Sequence, residues 1–585
     1  MRHHLKRRSV GGVLATMAAT AAVALMGGSP VAVAGTAHTT LAHGPATAGA
    51  TYYAVGKRVC HEPKKPGRAA CFAMYREIVK KGTRGAHAFK RAAGATAPGT
   101  VGPAGGLTPS DLGTAYGLTT TGGSGQTVAI VDAYNDPDIN ANLQAFDSNY
   151  GLRACSIANG CLRVVNQNGG ASLPANDSQG WSVEESLDVE AVHSVCQGCK
   201  IILVEANSDL NSALGTAENT AVSLGATEVS NSYGEPEAGT DSTFQAAFKH
   251  PGVVIAASAG DDGYDFYDLR ANTDQPSVPA SYNTVVSVGG TSLYLGQNAS
   301  RQSETVWNDN GVKDYNQQLV GLPLGAGGGG CSTMFNAQGW QTSLSVWHST
   351  GCGARRLDSD VSADADYLTG LDVYDTYACG ACAPAPGWFT VGGTSLSSPI
   401  IAATYGLAGG AHGVAYPALT LYGHLGAAYD VTTGGNGWCA GAGAGGCANP
   451  NSQGYGLVDC AYTSSGVVNV GDRACDALAG FDGPTGVGTP NGLKMFTKTG
   501  PSGTISGPTS ITHGKSKTWT VVASDPFPGG TITSYHWVWG GGTSTNTSAG
   551  AASHTYAKAG TYTITLTLQD KYGVTGTATY HVTVG

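Results

Sequence analysis

Charged side chains are scarce in this sequence. Asp, Glu, Lys and Arg make up 12% of its 585 residues, whereas about 25% is usual for soluble domains. The formal net charge of −9 at pH 7 leaves no basic stripe of the kind that binds nucleic acid, so we expect no partner of that class. Because the chain has few carboxylates, it has few ion pairs to lose on acidification, and we expect it to tolerate low pH.

Long apolar runs are absent after residue 34, which excludes a membrane-spanning helix in the mature chain. Residues 1–34 predict a secretory signal peptide, because a basic start is followed by an apolar stretch at 13–26 and by the small-residue cleavage site Ala32-Val33-Ala34. A membrane anchor is the weaker alternative, since the apolar stretch is short. Arg7-Arg8 leaves both Sec and twin-arginine export open. We therefore expect a secreted, extracellular protein.

The 14 cysteines are an even number in a chain that we expect to be exported, so disulfides are the default. Their proximity in sequence suggests seven pairs: Cys60/Cys71, Cys155/Cys161, Cys196/Cys199, Cys331/Cys352, Cys379/Cys382, Cys439/Cys447 and Cys460/Cys475. Zinc binding by the two pairs with a two-residue spacing is an alternative that the export signal disfavours.

The chain divides into regions of different character. Residues 35–105 have weak periodicity and predict a pro-segment or linker with one small disulfide loop. In 106–498 predicted strands at 127–132, 200–205, 227–230, 253–257 and 284–288 are interspersed with helical segments. This alternation indicates an α/β fold with a doubly wound parallel sheet, in which ligands bind at the carboxyl ends of the strands.

The last region, 501–585, is rich in Thr, Val and Tyr with alternating patterns and predicts a small all-β sandwich. Its segments 537–542 and 554–562 resemble the polycystic-kidney-disease (PKD) type repeat, although Gly541 stands where that family usually has Asp. The resemblance implies a binding or spacer module.

A candidate nucleophile lies in Gly392-Gly393-Thr394-Ser395-Leu396-Ser397-Ser398-Pro399. A predicted strand precedes this octapeptide and an Ala-rich predicted helix follows it, which places Ser395 at the head of a helix. Unpaired N–H groups there carry partial positive charge and can stabilise an oxyanion. An ordinary capped helix is the alternative, because Ser and Thr are favoured caps.

No histidine of the 15 lies in a His-Gly-Thr type of helix start, so a different base is needed. Glu184 and Asp188 are four residues apart, which puts both carboxylates on one face of a predicted helix. The alternative is a solvated acidic face. Glu185 is a competing acid, but its spacing to Asp188 is wrong. Asp261 directly follows a predicted strand; the alternative is an aspartate in an ordinary turn.

Together, Glu184/Asp188, Gly260-Asp261-Asp262-Gly263 and Gly393-Thr394-Ser395 to Pro399 resemble, in this order, the motifs of the sedolisins, the serine-carboxyl peptidases. The resemblance covers about 107–491. It implies a subtilisin-like doubly wound sheet, with a substrate cleft lined by Ser232, Tyr233 and Gly234.

The resemblance also implies a role for each catalytic residue. Ser395 is the nucleophile, Glu184 is the general base and Asp188 orients Glu184. Asp261, when protonated, donates a hydrogen bond to the oxyanion. A carboxylate base suits acidic conditions, because a histidine with an ordinary pKa of about 6.5 would be protonated there.

The resemblance further implies one structural Ca²⁺ ion. Its ligands by position are the carboxylates of Asp430 and Asp482 and the backbone carbonyls of Val431, Leu478 and Gly480, although Leu478 stands where glycine is usual. Oxygen ligands from flexible loops suit Ca²⁺. Two ordinary Asp-containing turns are the alternative.

The sequence therefore predicts a secreted monomeric acid endopeptidase that acts on proteins or peptides. Two departures stand against the resemblance: the pro-segment has only about 70 residues, and Ser359 replaces a frequent proline. A subtilisin-like Ser-His-Asp peptidase is one alternative, because Asp132 ends the first strand of the sheet. A catalytically silent secreted binding protein is the other.

Overall fold

The computed structural model describes residues 51–61, 63, 65–83, 86–90, 102–239, 241–265, 275–309, 325–377, 384–437, 462–463, 466–467 and 472–585. The predicted signal peptide and the predicted disulfides Cys379/Cys382 and Cys439/Cys447 lie outside these residues. Among the helices of the described ranges, none is both long enough and apolar enough to cross a membrane.

The described part of 35–105, the predicted pro-segment or linker, contains four strands. They are β1 Thr51–Arg58, β2 Ala70–Cys71, β3 Met74–Ile78 and β4 His87–Lys90. Strand β1 lies between β3 and β4, antiparallel to both. This segment is therefore built into the molecule by sheet pairing, which its weak periodicity did not predict.

In the described part of the central region there are seven α-helices and seventeen strands. The helices are α1 Pro109–Ala115, α2 Ile139–Tyr150, α3 Trp181–Val195, α4 Asn211–Ser223, α5 Gly339–Thr342, α6 Thr394–Ala408 and α7 Ala418–Tyr422. The strands are β5 Thr127–Ala133, β6 Leu162–Asn166, β7 Lys200–Ala206, β8 Glu228–Asn231, β9 Tyr233–Pro236, β10 Val254–Ser258, β11 Asp262–Tyr264, β12 Ser277–Val278, β13 Val286–Leu295, β14 Arg301–Val306, β15 Ala326–Asn336, β16 Arg355–Asp358, β17 Val361–Asp364, β18 Leu371–Asp375, β19 Gly387–Gly392, β20 Tyr462–Thr463 and β21 Gly466–Val467.

The main sheet has the strand order β14-β13-β10-β8-β5-β7-β6, and β17 pairs with β13. All of its pairings are parallel except that of β13 with β14. Two of its central strands contain continuous buried apolar runs, Val128–Val131 in β5 and Ile201–Val204 in β7, as expected for a parallel sheet that is buried on both faces. The predicted doubly wound α/β sheet is confirmed, and β8, β5 and β10 are adjacent at its centre.

Helices α3 and α6 pack against each other beside this sheet. Helix α6 also packs on β8, β10, β13 and β17. The carboxyl ends of β8 and β10 consequently lie next to the start of α6, which is where the predicted site residues are.

Residues 502–584 form the predicted all-β sandwich. Its strands are β22 Ser502–Ser506, β23 Ser510–Ile511, β24 Ser516–Ser524, β25 Ile532–Val538, β26 Ser544–Thr547, β27 Ala551–Thr555, β28 Gly560–Asp570 and β29 Thr575–Val584. They make a three-stranded and a five-stranded sheet around a core that includes Trp519, Trp537 and Trp539. A separate core of this kind supports the prediction of a distinct module.

Four predicted disulfides are confirmed: Cys60–Cys71, Cys155–Cys161, Cys196–Cys199 and Cys331–Cys352. Cys475 is also disulfide-bonded. The disulfide between Cys196 and Cys199 rules out the zinc alternative for that pair, because its thiolates are not available to a metal.

Candidate active site

Ser395 lies at the junction that the sequence predicts. Strand β19 ends at Gly392, Gly393 turns the chain with a φ of 94°, and α6 begins at Thr394. This φ favours glycine, and a side chain on Gly393 would collide with the carbonyl oxygen of Phe72. Ser395 is fully buried, and its hydroxyl donates to the carbonyl of Ser232 at 3.0 Å.

Helix α3 carries the predicted carboxylates, and every one of its 15 residues is buried. Glu184 and Asp188 have no exposed surface, so the alternative of a solvated acidic face is wrong. The helix packs against α6. The Ser395 hydroxyl is near enough to lower the pKa of the Glu184 carboxyl, although neither Glu184 oxygen has a hydrogen-bond partner among the described residues. The structure thus brings Glu184, Asp188 and Ser395 together.

The electrostatics of this pair follow from its burial. Desolvation raises the pKa of Glu184 well above its ordinary value; the charges of Asp188 and Asp132 raise it further, and the Ser395 hydroxyl lowers it. Desolvation followed by the charge of Asp132 raises the pKa of Asp188 likewise, while a hydrogen bond from Ser232 Oγ, 2.9 Å from Asp188 Oδ1, lowers it. Close carboxyls in such a site disfavour double ionisation, so one proton is shared between them.

Glu185 lies on another side of α3. Its carboxylate accepts a hydrogen bond from the backbone N–H of Asp136 at 3.0 Å, and the charges that act on it come from Glu205, Asp136 and Asp132 rather than from the serine. The three-residue spacing between Glu185 and Asp188 already indicated that Glu185, unlike Glu184, is not the partner of Asp188.

Asp261 follows β10 and faces the start of α6. Its Oδ1 accepts hydrogen bonds from the backbone N–H of Thr394 at 2.7 Å and from the Thr394 hydroxyl at 2.9 Å. Its Oδ2 is buried and has no hydrogen-bond partner among the described residues. Desolvation outweighs these bonds and the charge of Arg58, and raises the pKa of Asp261 to about 8. The carboxyl is therefore protonated at acidic and neutral pH and can donate from Oδ2.

Thr394 is a positioning residue that sequence reasoning left without a role. Besides its two bonds to Asp261, its hydroxyl accepts from the N–H of Gly260 at 3.1 Å, and its carbonyl accepts from Ser258 Oγ at 2.8 Å. The threonine thus connects the loop after β10 to the head of α6. The only feature of the sequence that pointed to this role of Thr394 was its position directly before Ser395 in the motif.

The predicted cleft residues Ser232, Tyr233 and Gly234 form one edge of the site. Tyr233 and Gly234 begin β9, and all three residues are buried. The Ser232 carbonyl accepts from Ser395 and its hydroxyl donates to Asp188. The structure therefore places this segment directly beside the nucleophile.

Asp132 lies within the acidic cluster, with neither of its carboxylate oxygens hydrogen-bonded in the described part of the chain. Burial raises its pKa to about 8. The described histidine on α3, His193, instead pairs with Asp147 at 2.7 Å. Among the described residues, no histidine contributes to the pKa shifts of Asp132, Glu184 or Asp188. This disfavours a Ser-His-Asp arrangement.

The predicted calcium residues lie in two neighbouring loops. The N–H of Gly480 donates to Asp430 Oδ2 at 3.0 Å, and the N–H of Leu478 donates to Asp482 Oδ2 at 2.9 Å. Asp430 is exposed and Val431 and Asp482 are buried. Desolvation raises the pKa of Asp482 well above its ordinary value, and the charge of Asp430 adds to this rise.

Neither carboxylate forms an ion pair within the described ranges. The Arg473 guanidinium instead binds the carbonyls of Ala479 and Phe481 and orders the second loop. Two close carboxylates without a protein cation, on an ordered loop of carbonyls, fit a Ca²⁺ ion.

Comparison with known proteins shows similarity to two families and to one relative of known name. Residues 123–418 match the model of the subtilase family, and residues 498–584 match that of the PKD domain. Sedolisin of Pseudomonas sp. (strain 101) is 28% identical over 352 residues, which are 56% of this chain and 54% of that protein. The chain thus spans about half the length of this relative.

Two solved structures are also similar. A Pseudomonas sedolisin complexed with two molecules of pseudo-iodotyrostatin has a TM-score of 0.49 and 24% identity, covering 67% of this chain and 97% of that one. The PKD1 domain of the Vibrio cholerae metalloprotease PrtV is 29% identical over 15% of this chain and 98% of its own, with a TM-score of 0.13.

Proposed function

This chain belongs to the subtilase family, and from that premise we propose that it is a secreted, acid-active serine-carboxyl endopeptidase. The observation that carries the proposal is the convergence of the Ser395 hydroxyl, the Glu184–Asp188 pair and the Asp261 carboxyl in one buried site. Similarity to sedolisin supports the same activity. Protein and peptide chains are the proposed substrates, and the proposed mature form is a monomer free of membranes and nucleic acid.

The Ser395 hydroxyl attacks the carbonyl carbon of the scissile peptide bond, and Glu184 accepts the hydroxyl proton. Asp188 orients Glu184 and shares its charge, which keeps the pair at a single negative charge. The Oδ2–H of protonated Asp261 donates to the oxyanion of the tetrahedral intermediate. Glu184 then returns the proton to the leaving amine, and water releases the acyl group from Ser395 by the same steps.

The acid preference follows from which groups must carry protons. Asp261 donates only while it is protonated, and burial holds its pKa at about 8, so its contribution is lost as the pH rises through that value. The base does not depend on a neutral imidazole; it is the Glu184–Asp188 pair, which accepts the hydroxyl proton while the pair carries one proton and one negative charge.

Asp430 and Asp482, with the carbonyls of Val431, Leu478 and Gly480, are the proposed ligands of one structural Ca²⁺ ion. Such an ion supplies positive charge that neutralises the two carboxylates and holds the two loops together. We assign the ion no catalytic step.

Exchange of the nucleophile tests the proposal. Ser395→Ala is expected to lower hydrolysis of a denatured protein substrate at pH 4 by at least about a thousandfold, because the attacking oxygen is lost. Ser397→Ala is the matched control: it removes a buried hydroxyl of the same helix, one that donates to the carbonyl of Thr394. Hydrolysis that persists in Ser395→Ala, or that falls equally in both variants, would refute the nucleophile assignment.

A further inference from the structure

A cavity of about 370 Å³ lies at the edge of the main sheet that is opposite to the candidate active site. Its wall comes from three stretches of chain: 124–127, residues within 153–161, and 197–200. Each stretch leads into or begins one of the neighbouring parallel strands β5, β6 and β7. The cavity therefore lies where the amino ends of these strands meet, whereas Ser395 lies beside the carboxyl ends of β8 and β10.

The wall of this cavity is held together by the chain itself. The N–H of Lys200 donates to the carbonyl of Gln126 at 3.0 Å, which joins the third stretch to the first. The disulfides Cys155–Cys161 and Cys196–Cys199 constrain the second and third stretches. A site that is formed before its ligand arrives has little ordering cost to meet on binding.

Two cations and no described acidic residue line the cavity. The cations are Arg153 and Lys200; both residues are exposed, and neither forms an ion pair within the described ranges. The chain as a whole has 40 acidic residues against 31 Lys and Arg residues, so the charge of this wall is opposite in sign to the net charge of the protein. The wall therefore favours an anion.

The ends of two helices account for only part of this positive charge. Helix α2 ends at Tyr150 and α3 at Val195, shortly before Arg153 and Lys200 respectively. The C-terminus of a helix carries a charge of about −0.5. The two helix ends together therefore balance about one of the two cations, and a charge of about +1 is left to act on a ligand.

Neutral polar side chains order the wall around the cations. Gln197 Oε1 accepts from the backbone N–H of Arg153 at 3.2 Å, and Asn159 Nδ2 donates to the carbonyl of Ala154 at 2.9 Å. These bonds fix the backbone that carries the Arg153 side chain. A guanidinium binds a carboxylate or a phosphate through two parallel N–H bonds, and an ammonium binds either as a point charge.

We propose that this cavity is a binding site for a compact oxyanion with two acidic groups, such as a small dicarboxylate or a phosphate. Its volume lies near the lower end of the range for small-molecule sites, about 300–1,000 Å³, so it admits a small molecule and not a folded partner. The stretch 197–200 directly follows α3, the helix that carries Glu184 and Asp188. An occupied site thus stabilises the far end of the helix that supplies the proposed base. The binding itself does not depend on the proposed peptidase activity.

The first test measures binding to the full-length protein carrying Ser395→Ala, which excludes self-digestion. Succinate and inorganic phosphate are titrated separately at pH 6.5, by calorimetry and by thermal unfolding, against KCl at the same ionic strength. We expect at least one of them to bind saturably with a Kd of about 1 mM or lower and to raise the Tm by about 1–2 °C at about 20 times that Kd. Binding of succinate alone assigns a carboxylate ligand, and binding of phosphate alone assigns a phosphoryl ligand. Saturable binding of neither would overturn the proposal.

The second test uses variants of the wall in the same background. Arg153→Gln combined with Lys200→Gln should weaken binding by at least about tenfold, because both charges are lost. Arg163→Gln is the control and should leave the Kd unchanged, since Arg163 is exposed on β6 and does not line the cavity. Ala154→Trp keeps both cations, fills the cavity and should abolish binding. The Tm without added anion shows that each variant is folded.

The outcomes separate this site from general charge effects and from the proposed function. Unchanged binding in Ala154→Trp, or an equal loss in Arg163→Gln and in the double variant, would show that the anions bind elsewhere or through overall charge, and either result refutes the site. Saturable binding that the wall variants abolish, in a protein whose wild type hydrolyses no peptide, would refute the peptidase assignment and leave the anion site in place.

Discussion

At the scale of single residues, the site depends on where protons are held. Asp261 accepts two hydrogen bonds from Thr394 on one oxygen, and its second oxygen is buried without a hydrogen-bond partner among the described residues. Its burial raises its pKa to about 8, which keeps a proton on the oxygen that must donate. A neutral carboxylic acid in an apolar site is a strong hydrogen-bond donor that needs no rearrangement during the reaction.

Removal of this donor is the first prediction. Asp261→Ala is expected to lower kcat by about 10²–10³-fold while KM changes little, because the lost bond is made mainly in the transition state. Steady-state kinetics on a fluorogenic peptide at pH 4 measure both constants, with the wild type as the reference. A large rise in KM with kcat unchanged would show instead that Asp261 serves ground-state binding.

The sequence predicted these residues because three motifs occur in the order that resembles the sedolisins, whereas each motif alone also fits an ordinary structural role. Glu184 and Asp188 are one helical turn apart, Asp261 follows β10 of the parallel sheet, and Ser395 follows β19 of the antiparallel sheet. The role of Thr394 was not predictable in the same way, since a threonine before a serine is also an ordinary helix cap. Its bonds to Asp261 depend on a contact between segments that are 133 residues apart.

At the scale of elements, the buried helix α3 and the strands that surround it were predicted better than the loops. Continuous apolar strands and the alternation with helices are sufficient to place a parallel sheet. The strands between Thr51 and Lys90 were missed, because they are short and form by pairing with each other and with β19 rather than by their own pattern. Their contribution to the cleft could be found only from the folded structure.

The calcium loops give the second prediction. Exhaustive chelation of the purified protein is expected to lower its Tm by several degrees, since ligand present at about 100 times its Kd stabilises the folded state by about 2.7 kcal/mol. Calorimetry with and without added Ca²⁺ measures the difference. Asp430→Ala should abolish the calcium-dependent part of Tm, and the surface control Glu77→Gln should keep it. An equal Tm with and without chelator in the wild type would contradict the assignment.

At the scale of the whole molecule, buried carboxyls far outnumber buried arginines among the described residues. Burial raises the pKa of Asp132, Asp136, Glu218 and Glu228 to about 8 and that of Glu205 to about 9. The small fraction of charged residues in the sequence indicated tolerance of acid. It did not indicate that so many of the carboxyls are buried. Composition counts carboxyls without locating them, so their burial had to come from the fold.

This imbalance gives the third prediction, on stability against pH. Carboxyls in the unfolded chain titrate near pH 4, whereas these groups stay protonated in the folded protein up to about pH 8. The folded state therefore binds more protons between these values, so its stability is fully present below about pH 4 and is lost as the pH rises to about 8. The Tm should fall by about 10 °C or more over this range.

Thermal unfolding of Ser395→Ala at pH 4, 6 and 8 measures this dependence without interference from self-digestion. The variant keeps the buried acids and removes only one hydroxyl. A Tm that is constant or rises between pH 4 and 8 would show that the enclosed carboxyls are ionised at little cost, and the basis for acid activity would have to be sought elsewhere.

The central claim is that a glutamate, and not a histidine, takes the proton of Ser395. The most direct measurement is kcat/KM of Glu184→Gln at pH 4 beside that of Glu185→Gln, its buried neighbour on the same helix, which accepts from the N–H of Asp136. Glu184→Gln is expected to lose at least about a thousandfold, because an amide cannot accept the proton, whereas Glu185→Gln should stay within about threefold of the wild type. Full activity in Glu184→Gln, or an equal loss in both variants, would contradict the account.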